Sequence, residues 1–354
     1  MGLKLLHTAD WHLGSSFAGF PEPLQNRLKE IQRSIPEKIS QLCRRENCRM
    51  MLLAGDIFDG RPSADTVELV KNALKDCGVP VLVSPGNHDF CCADSPWVRE
   101  IWPENVHIFR GGISGIAFPQ LDCRVYGAGY QSMDCPGLLE GFRAEGPERY
   151  RIGLFHGDPV QSGSPYCHIT GSQVKNSGLD YLALGHIHKA GAFRSGDTLC
   201  AWPGCPMGRG WDETGAKGIC TVTLEDTASV QALMLDTPRF HSLRADIGTD
   251  ALSALEQLLP AGESQDFFRV TLTGSGTLST EDLTPVFRRF PNLQLVDRTE
   301  APRDLFESAD EDSLEGIFFR ILRNAMEEDP QNAQHIRLAA EIAGKILSGK
   351  EVVL

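Results

Sequence analysis

Five short polar stretches hold most of the side chains that could do chemistry. They are Asp10-Trp11-His12, Gly55-Asp56-Ile57-Phe58-Asp59, Gly86-Asn87-His88-Asp89, the single His156 after Gly153-Leu154-Phe155, and Gly185-His186-Ile187-His188. Each alone is a weak signal, since an isolated His is more often packed or exposed than a ligand. Together they offer carboxylates, an amide and imidazoles, the donors that suit Mn, Fe or Zn better than Ca or Mg. A carboxylate can bridge two ions, which an imidazole cannot. Two divalent ions about 3.5–4 Å apart clamp the attacking and leaving oxygens of a phosphoryl displacement. The glycines ahead of Asp56, Asn87 and His186 are expected to permit the sharp turns that aim the next side chain.

Apolar runs precede all five stretches. Leu3–His7, Met50–Ala54, Val79–Val83, Ile152–Phe155 and Tyr181–Leu184 read as strands buried on both faces. Leu24, Leu28, Ile31, Ile35, Ile39 and Leu42 recur at helical spacing, with a kink or break at Pro36, and Val67, Val70 and Leu74 mark another helix. The alternation gives an α/β layered domain over residues 1–236, with the motifs at the C-terminal ends of its strands. A small α+β domain is expected over 240–300: strand 241–247, helix Ala251–Leu259, strand Phe267–Leu272, helix Glu281–Phe290, strand Leu293–Val296. Residues 305–354 read as a helical segment. Ser308 and Glu311 have capping-box spacing ahead of a stripe of Leu314, Ile317, Phe318, Ile321, Leu322 and Ala325. Asp329-Pro330 is expected to start a second helix bearing Leu338, Ile342 and Ile346, ending at Gly349.

With 41% hydrophobic and 23% charged residues, the composition is that of a globular protein. No apolar run approaches the ~20 residues that span a bilayer, and the start does not read as a signal peptide, so a cytoplasmic location without a membrane partner is expected. The eleven cysteines include no C-x-x-C pair. Cys43 with Cys48, or Cys91 with Cys92, are weak ligand candidates beside the simpler reading of reduced thiols. The net charge of −13 argues against holding nucleic acid unaided, because such binding rests on cationic contacts to phosphate. Residues 297–354 alone hold seven Lys/Arg against thirteen Asp/Glu.

The five motifs, in this order, resemble those of the calcineurin-like metallophosphoesterases. Leu6-His7-Thr8-Ala9-Asp10-Trp11-His12-Leu13-Gly14 and Trp202-Pro203-Gly204-Cys205-Pro206-Met207-Gly208-Arg209-Gly210, followed by Glu213-Thr214-Gly215-Ala216-Lys217-Gly218, resemble the SbcD/YhaO-type DNA repair exonuclease subunits. The likeness covers about residues 1–225. It implies a layered metallophosphoesterase sandwich with a small α+β capping domain and C-terminal helices. It further implies two divalent ions, Mn2+ first, with Fe or Zn as substitutes. Asp10, His12 and His188 would hold one ion and Asn87, His156 and His186 the other, with Asp56 bridging. His88 would stabilise the transition state and protonate the leaving oxygen. Asp59 would orient His88 or a loop, a structural role being equally open.

The implied activity is a two-metal DNA nuclease in repair or processing, an exonuclease with single-strand endonuclease action as a variant. DNA would be its substrate and an SbcC-type coiled-coil ATPase its partner, with a homodimer as a second assembly. The alternatives are a small-molecule phosphodiesterase or phosphoprotein phosphatase on the same core, and a non-catalytic scaffold. Asp89 and His7 read as structural, Trp11 as lining or packing, and His107, His168, His241 and His335 as ordinary. Arg61, Lys189 and Arg209 read as solvated charges that could also meet nucleic-acid phosphates. The stripe at Leu314–Ala325 is expected either to dock the ATPase or to pack on its own domain.

Overall fold

The computed structural model describes residues 2–248, 250–274, 276, 283–300 and 306–347. The chain divides into two compact units, Met1–His241 and Ser242–Leu354.

The first unit is built on twelve strands: β1 (Leu3–Thr8), β2 (Met51–Leu53), β3 (Val81–Val83), β4 (Val106–Ile108), β5 (Ser114–Phe118), β6 (Cys123–Gly127), β7 (Tyr150–His156), β8 (Tyr181–Gly185), β9 (Gly191–Ser195), β10 (Thr198–Trp202), β11 (Gly218–Leu224) and β12 (Ala228–Met234). They form two six-stranded sheets, ordered β12-β11-β1-β2-β3-β4 and β5-β6-β7-β8-β10-β9. The middle strands run parallel: β1 through β4 in the first sheet, and β6, β7, β8 and β10 in the second. Antiparallel pairs close three of the four edges, at β12, β5 and β9, and β4 is a parallel edge. One apolar cluster joins residues of both sheets, with Leu5, Leu52 and Leu82 from one and Val125, Ile152 and Ala183 from the other. This makes the unit a sandwich with helices, and the β1, β2, β3, β7 and β8 runs are buried throughout their cores because both faces are covered.

The apolar stripe at residues 24–42 is two helices, Glu22–Arg33 and Ile35–Arg45. Pro36 sits in the first turn of the second, where its missing N–H costs nothing. Helix Ala64–Asp76 is capped by Ser63, whose hydroxyl accepts from the Thr66 N–H. Among the described residues no helix is long and apolar enough to cross a membrane.

The second unit holds a three-stranded sheet, β13 (Phe240–Asp246), β14 (Phe267–Thr273) and β15 (Leu293–Asp297), with helices Ala251–Leu258 and Thr284–Arg289. β14 and β15 pair in parallel. Val270, Leu255, Val286 and Phe290 belong to its buried cluster. The expected helix start at residues 281–282 and the expected helix end at Gly349 lie outside the described residues.

Two expected helix starts are corrected. Ser308 and Glu311 do not open a helix: residues Glu307–Asp310 make a 3-10 turn and Glu311 is extended. Helix Leu314–Glu328 starts instead at Ser313, whose hydroxyl accepts from the Gly316 N–H. The second helix is Ala333–Leu347, so Pro330 is not its first residue. Asp329 turns back there, its carboxylate accepting from the Asn332 N–H.

Candidate metal centre

All five motifs leave C-terminal ends of strands, three from the first sheet (β1, β2, β3) and two from the second (β7, β8). The second sheet brings His156 and His186 opposite Asp10, Asp56 and Asn87. The local backbone is unusual. Asp10, His12, Asp56 and His186 all have positive φ, at 55°, 47°, 51° and 95°. Such backbone costs an L-residue about 1–3 kcal/mol and persists only where the surroundings over-determine it. Burial of a single Leu or Val returns roughly 1.5–3 kcal/mol, so the covered strands below can hold these residues in place.

Two of the three glycines serve differently from the turn role expected of them. Gly55 does have positive φ, but a Cβ there would also lie 2.5 Å from His156 Nδ1. Gly86 and Gly185 have ordinary φ. A Cβ on Gly86 would lie 2.3 Å from Asp56 Oδ1, and one on Gly185 2.0 Å from the Ala54 carbonyl oxygen. These two allow close approach between motifs rather than a left-handed turn.

Donor atoms converge in two halves. In one, His12 Nε2 lies 3.1 Å from His188 Nε2, and Asp10 Oδ1 lies 3.9 Å from His188 Nε2. In the other, His156 Nε2 lies 2.9 Å from Asn87 Oδ1, and His186 Nδ1 lies 3.3 Å from the same oxygen. Asp56 Oδ2 faces both, 3.8 Å from His12 Nε2 and 3.4 Å from His156 Nε2. Asp10-His12-His188 and Asp10-Asp56-His156 each have ligand atoms within 4.8 Å of one another.

The arrangement fits a bound cation. His156 Nδ1 donates to the Ala54 carbonyl at 2.8 Å, so a neutral ring presents a bare Nε2. That lone pair faces the Asn87 oxygen at 2.9 Å and the Asp56 carboxylate at 3.4 Å. Burial alone would lower the His156 pKa, but the Asp56 carboxylate overrides it and the ring is pushed up to about 9. The oxygens thus call for positive charge at Nε2, which a metal would supply. His12 Nδ1 is buried with no hydrogen-bond partner. Burial pushes Asp10 up, against the pull of His188 and His156. Burial acts likewise on Asp56, yet His156, His12 and His88 hold it below the usual carboxylate range.

Other residues hold these candidate donors. Asp89 accepts the backbone N–H of Gly86 at 2.8 Å, Asp56 at 3.2 Å, Ile57 at 2.9 Å and Phe58 at 3.3 Å, tying two motif loops together. Asp59 Oδ1 accepts from His88 Nδ1 at 3.0 Å, and its Oδ2 accepts from the Ser15 hydroxyl at 2.9 Å. His88 is 40% exposed at the rim. His7 is buried in the core, donating from Nε2 to the Leu184 carbonyl. Trp11 packs, its indole donating to Thr8 Oγ1.

Sequence reasoning gave no role to Gln32 and Glu213. Gln32 is buried, accepts from the Gly14 N–H and donates to the His12 carbonyl at 2.8 Å, fixing the first motif loop. Its signal was a polar residue on the inward face of a helix. Glu213 Oε1 lies 2.6 Å from His188 Nδ1. Arg209 is not a solvated charge as expected: its guanidinium donates to Glu213 Oε1 at 3.2 Å. Arg61 is exposed and pairs with Asp94.

The calcineurin-like phosphoesterase family model matches residues 3–190, more than half of the chain. The uncharacterized metallophosphoesterase YhaO of Bacillus subtilis is 34% identical over 235 residues, covering 61% of this chain and 56% of that protein. The chain thus spans little more than half the length of that relative. The SbcD component of the Bacillus subtilis nuclease SbcCD is 23% identical over 357 residues, covering 88% of each. Among solved structures, a dimetal phosphatase from Danio rerio aligns with 14% identity and a TM-score of 0.45, covering 65% of this chain and 95% of that one. The matched stretch runs from the first motif through His188, and the chain belongs to the calcineurin-like phosphoesterase family, hydrolases that depend on a dinuclear metal centre.

Proposed function

We propose that the chain is a two-metal phosphodiesterase that acts on DNA as a nuclease, in repair or processing. The observation that carries phosphoester hydrolysis is an inward-facing set of seven donor residues with His88 at its exposed rim. In this reading Asp10, His12 and His188 hold one ion, Asn87, His156 and His186 the other, and Asp56 bridges. Mixed imidazole and carboxylate donors suit Mn, Fe or Zn, with Mn first. Such ions polarise the phosphoryl group and neutralise charge that builds up in its displacement. The chain's own part is positional and acid–base. The Asp59 hydrogen bond raises the His88 pKa, which burial opposes and Asp56 supports, so the ring stays protonated more readily. Asp59 thereby aims and charges a proton donor for the leaving oxygen.

DNA as substrate is supported by the nuclease component that aligns along most of both chains. The test is hydrolysis of single- and double-stranded DNA, a nitrophenyl diester and a phosphopeptide, each with manganese and with chelator. We expect the diester and DNA to be cleaved only with metal. Cleavage of the phosphopeptide with DNA untouched would overturn the nuclease reading in favour of a phosphatase. The −13 charge is the observation that favours a small-molecule diester as second reading.

The same reading gives residues 240–300 and 305–354 separate tasks, the latter docking an SbcC-type ATPase. On helix Leu314–Glu328, Phe319 is buried against Ala309 and Ala340, while Leu314, Ile317, Phe318 and Ile321 are exposed. Phe318→Glu is expected to change stability by no more than about 0.5 kcal/mol, as at other surface positions, and to abolish co-purification with that ATPase. Retained association, or a clear fall in thermal midpoint, counts against docking by this face.

A further inference from the structure

We propose that Glu213 is a positioning residue for the ion held by Asp10, His12 and His188, acting through His188. The inference rests on the two-metal reading above. A carboxylate only accepts, so the 2.6 Å contact places the proton of His188 on Nδ1 and leaves Nε2 bare. That Nε2 faces His12 Nε2 at 3.1 Å and Asp10 Oδ1 at 3.9 Å. Among the described residues, the other ligand imidazoles are backed differently. His156 leans on the neutral Ala54 carbonyl, and His12 Nδ1 lies 3.9 Å from Asp59. Of these three, His188 alone has a carboxylate at hydrogen-bond distance behind it, which fixes its tautomer and ring orientation.

The loop that carries Glu213 is built around His188. Gly204 has φ 75°, and a Cβ there would lie 2.6 Å from the His188 carbonyl oxygen. The Cys205 N–H donates to that carbonyl at 3.4 Å. Glu213 is nine-tenths buried and cannot swing away. Its Oε2 accepts from the Arg209 N–H at 2.8 Å and its Oε1 from the Arg209 guanidinium at 3.2 Å. His188, Cys205 and Glu213 also meet the spacing of a metal site. There the Arg209 guanidinium already supplies the countercharge to Glu213, which leaves the carboxylate to the His188 ring.

The test is calorimetric titration of metal-free wild type, Glu213→Ala and Glu213→Gln with manganese, alongside the metal-free thermal midpoint of each. Wild type should show two binding steps. In Glu213→Ala one step should weaken by about 10–100-fold, the usual cost of losing such a partner, and the other should stay. Glu213→Gln keeps an accepting oxygen without the charge and should fall between. The inference is overturned if both steps survive unchanged in Glu213→Ala. It is equally overturned if both weaken together in the two variants with a fall in the metal-free midpoint, which marks Glu213 as a general structural prop. Absence of manganese binding by wild type overturns the two-metal reading itself.

Discussion

Asp56→Asn should take the metal content of the purified chain from about two ions to one or none. Asp56 Oδ2 faces His12 Nε2 at 3.8 Å and His156 Nε2 at 3.4 Å, so it looks into both halves. Its Oδ1 is already engaged by the His88 N–H at 2.8 Å. The amide can keep that acceptor, but it then turns an NH2 group toward the ions and removes the charge between them. The substitution is also clean. Asp56 sits at φ 51°, and Asn visits that region more readily than residues other than Gly. Loss of metal would therefore report on charge, not on a rebuilt turn. Metal content after dialysis against manganese checks it, and two retained ions would remove Asp56 from the bridging position.

His88→Ala should keep both ions and lose turnover by ~10²–10⁴-fold, the range for a positioned general acid. His12, Asp56 and His88 do have donor atoms within 4.8 Å of one another, so spacing alone would admit His88 as a ligand. Its position argues otherwise: the ring is 40% exposed at the rim where a substrate arrives, whereas the seven proposed ligands are buried or half-buried. Metal content and diester hydrolysis measured on the same preparation separate the two roles. An emptied ion position in His88→Ala would make it a ligand.

Strands ending in chemistry were the legible part of the sequence. β1, β7 and β8 are continuous apolar runs because both faces are covered, and their polar ends stand out. The edge strands were not legible. In β12 only Ala228 is buried, and β5 opens with two exposed residues, so neither carries a period-two burial pattern. Glu213 was visible only as part of a resemblance. Nothing local shows that a residue 25 positions beyond His188 folds back onto its ring. The Ser308 error has a related cause: capping-box spacing recurs by chance, and the choice between Ser308 and Ser313 lay with the 3-10 turn before the helix.

Each proposed ion position draws ligands from both sheets: Asp10 and His12 with His188, and Asn87 with His156 and His186. Occupied, the centre would be a cross-link at one end of the sandwich, joining chain segments 69 residues apart at Asn87 and His156 and 176 apart at His12 and His188. Closing a long loop restricts the unfolded chain in the manner of a disulfide, and the restriction grows only slowly with loop length. The sheets could then part at that end only after releasing the ions. In such a molecule, the catalytic centre and the clasp of the fold are one object.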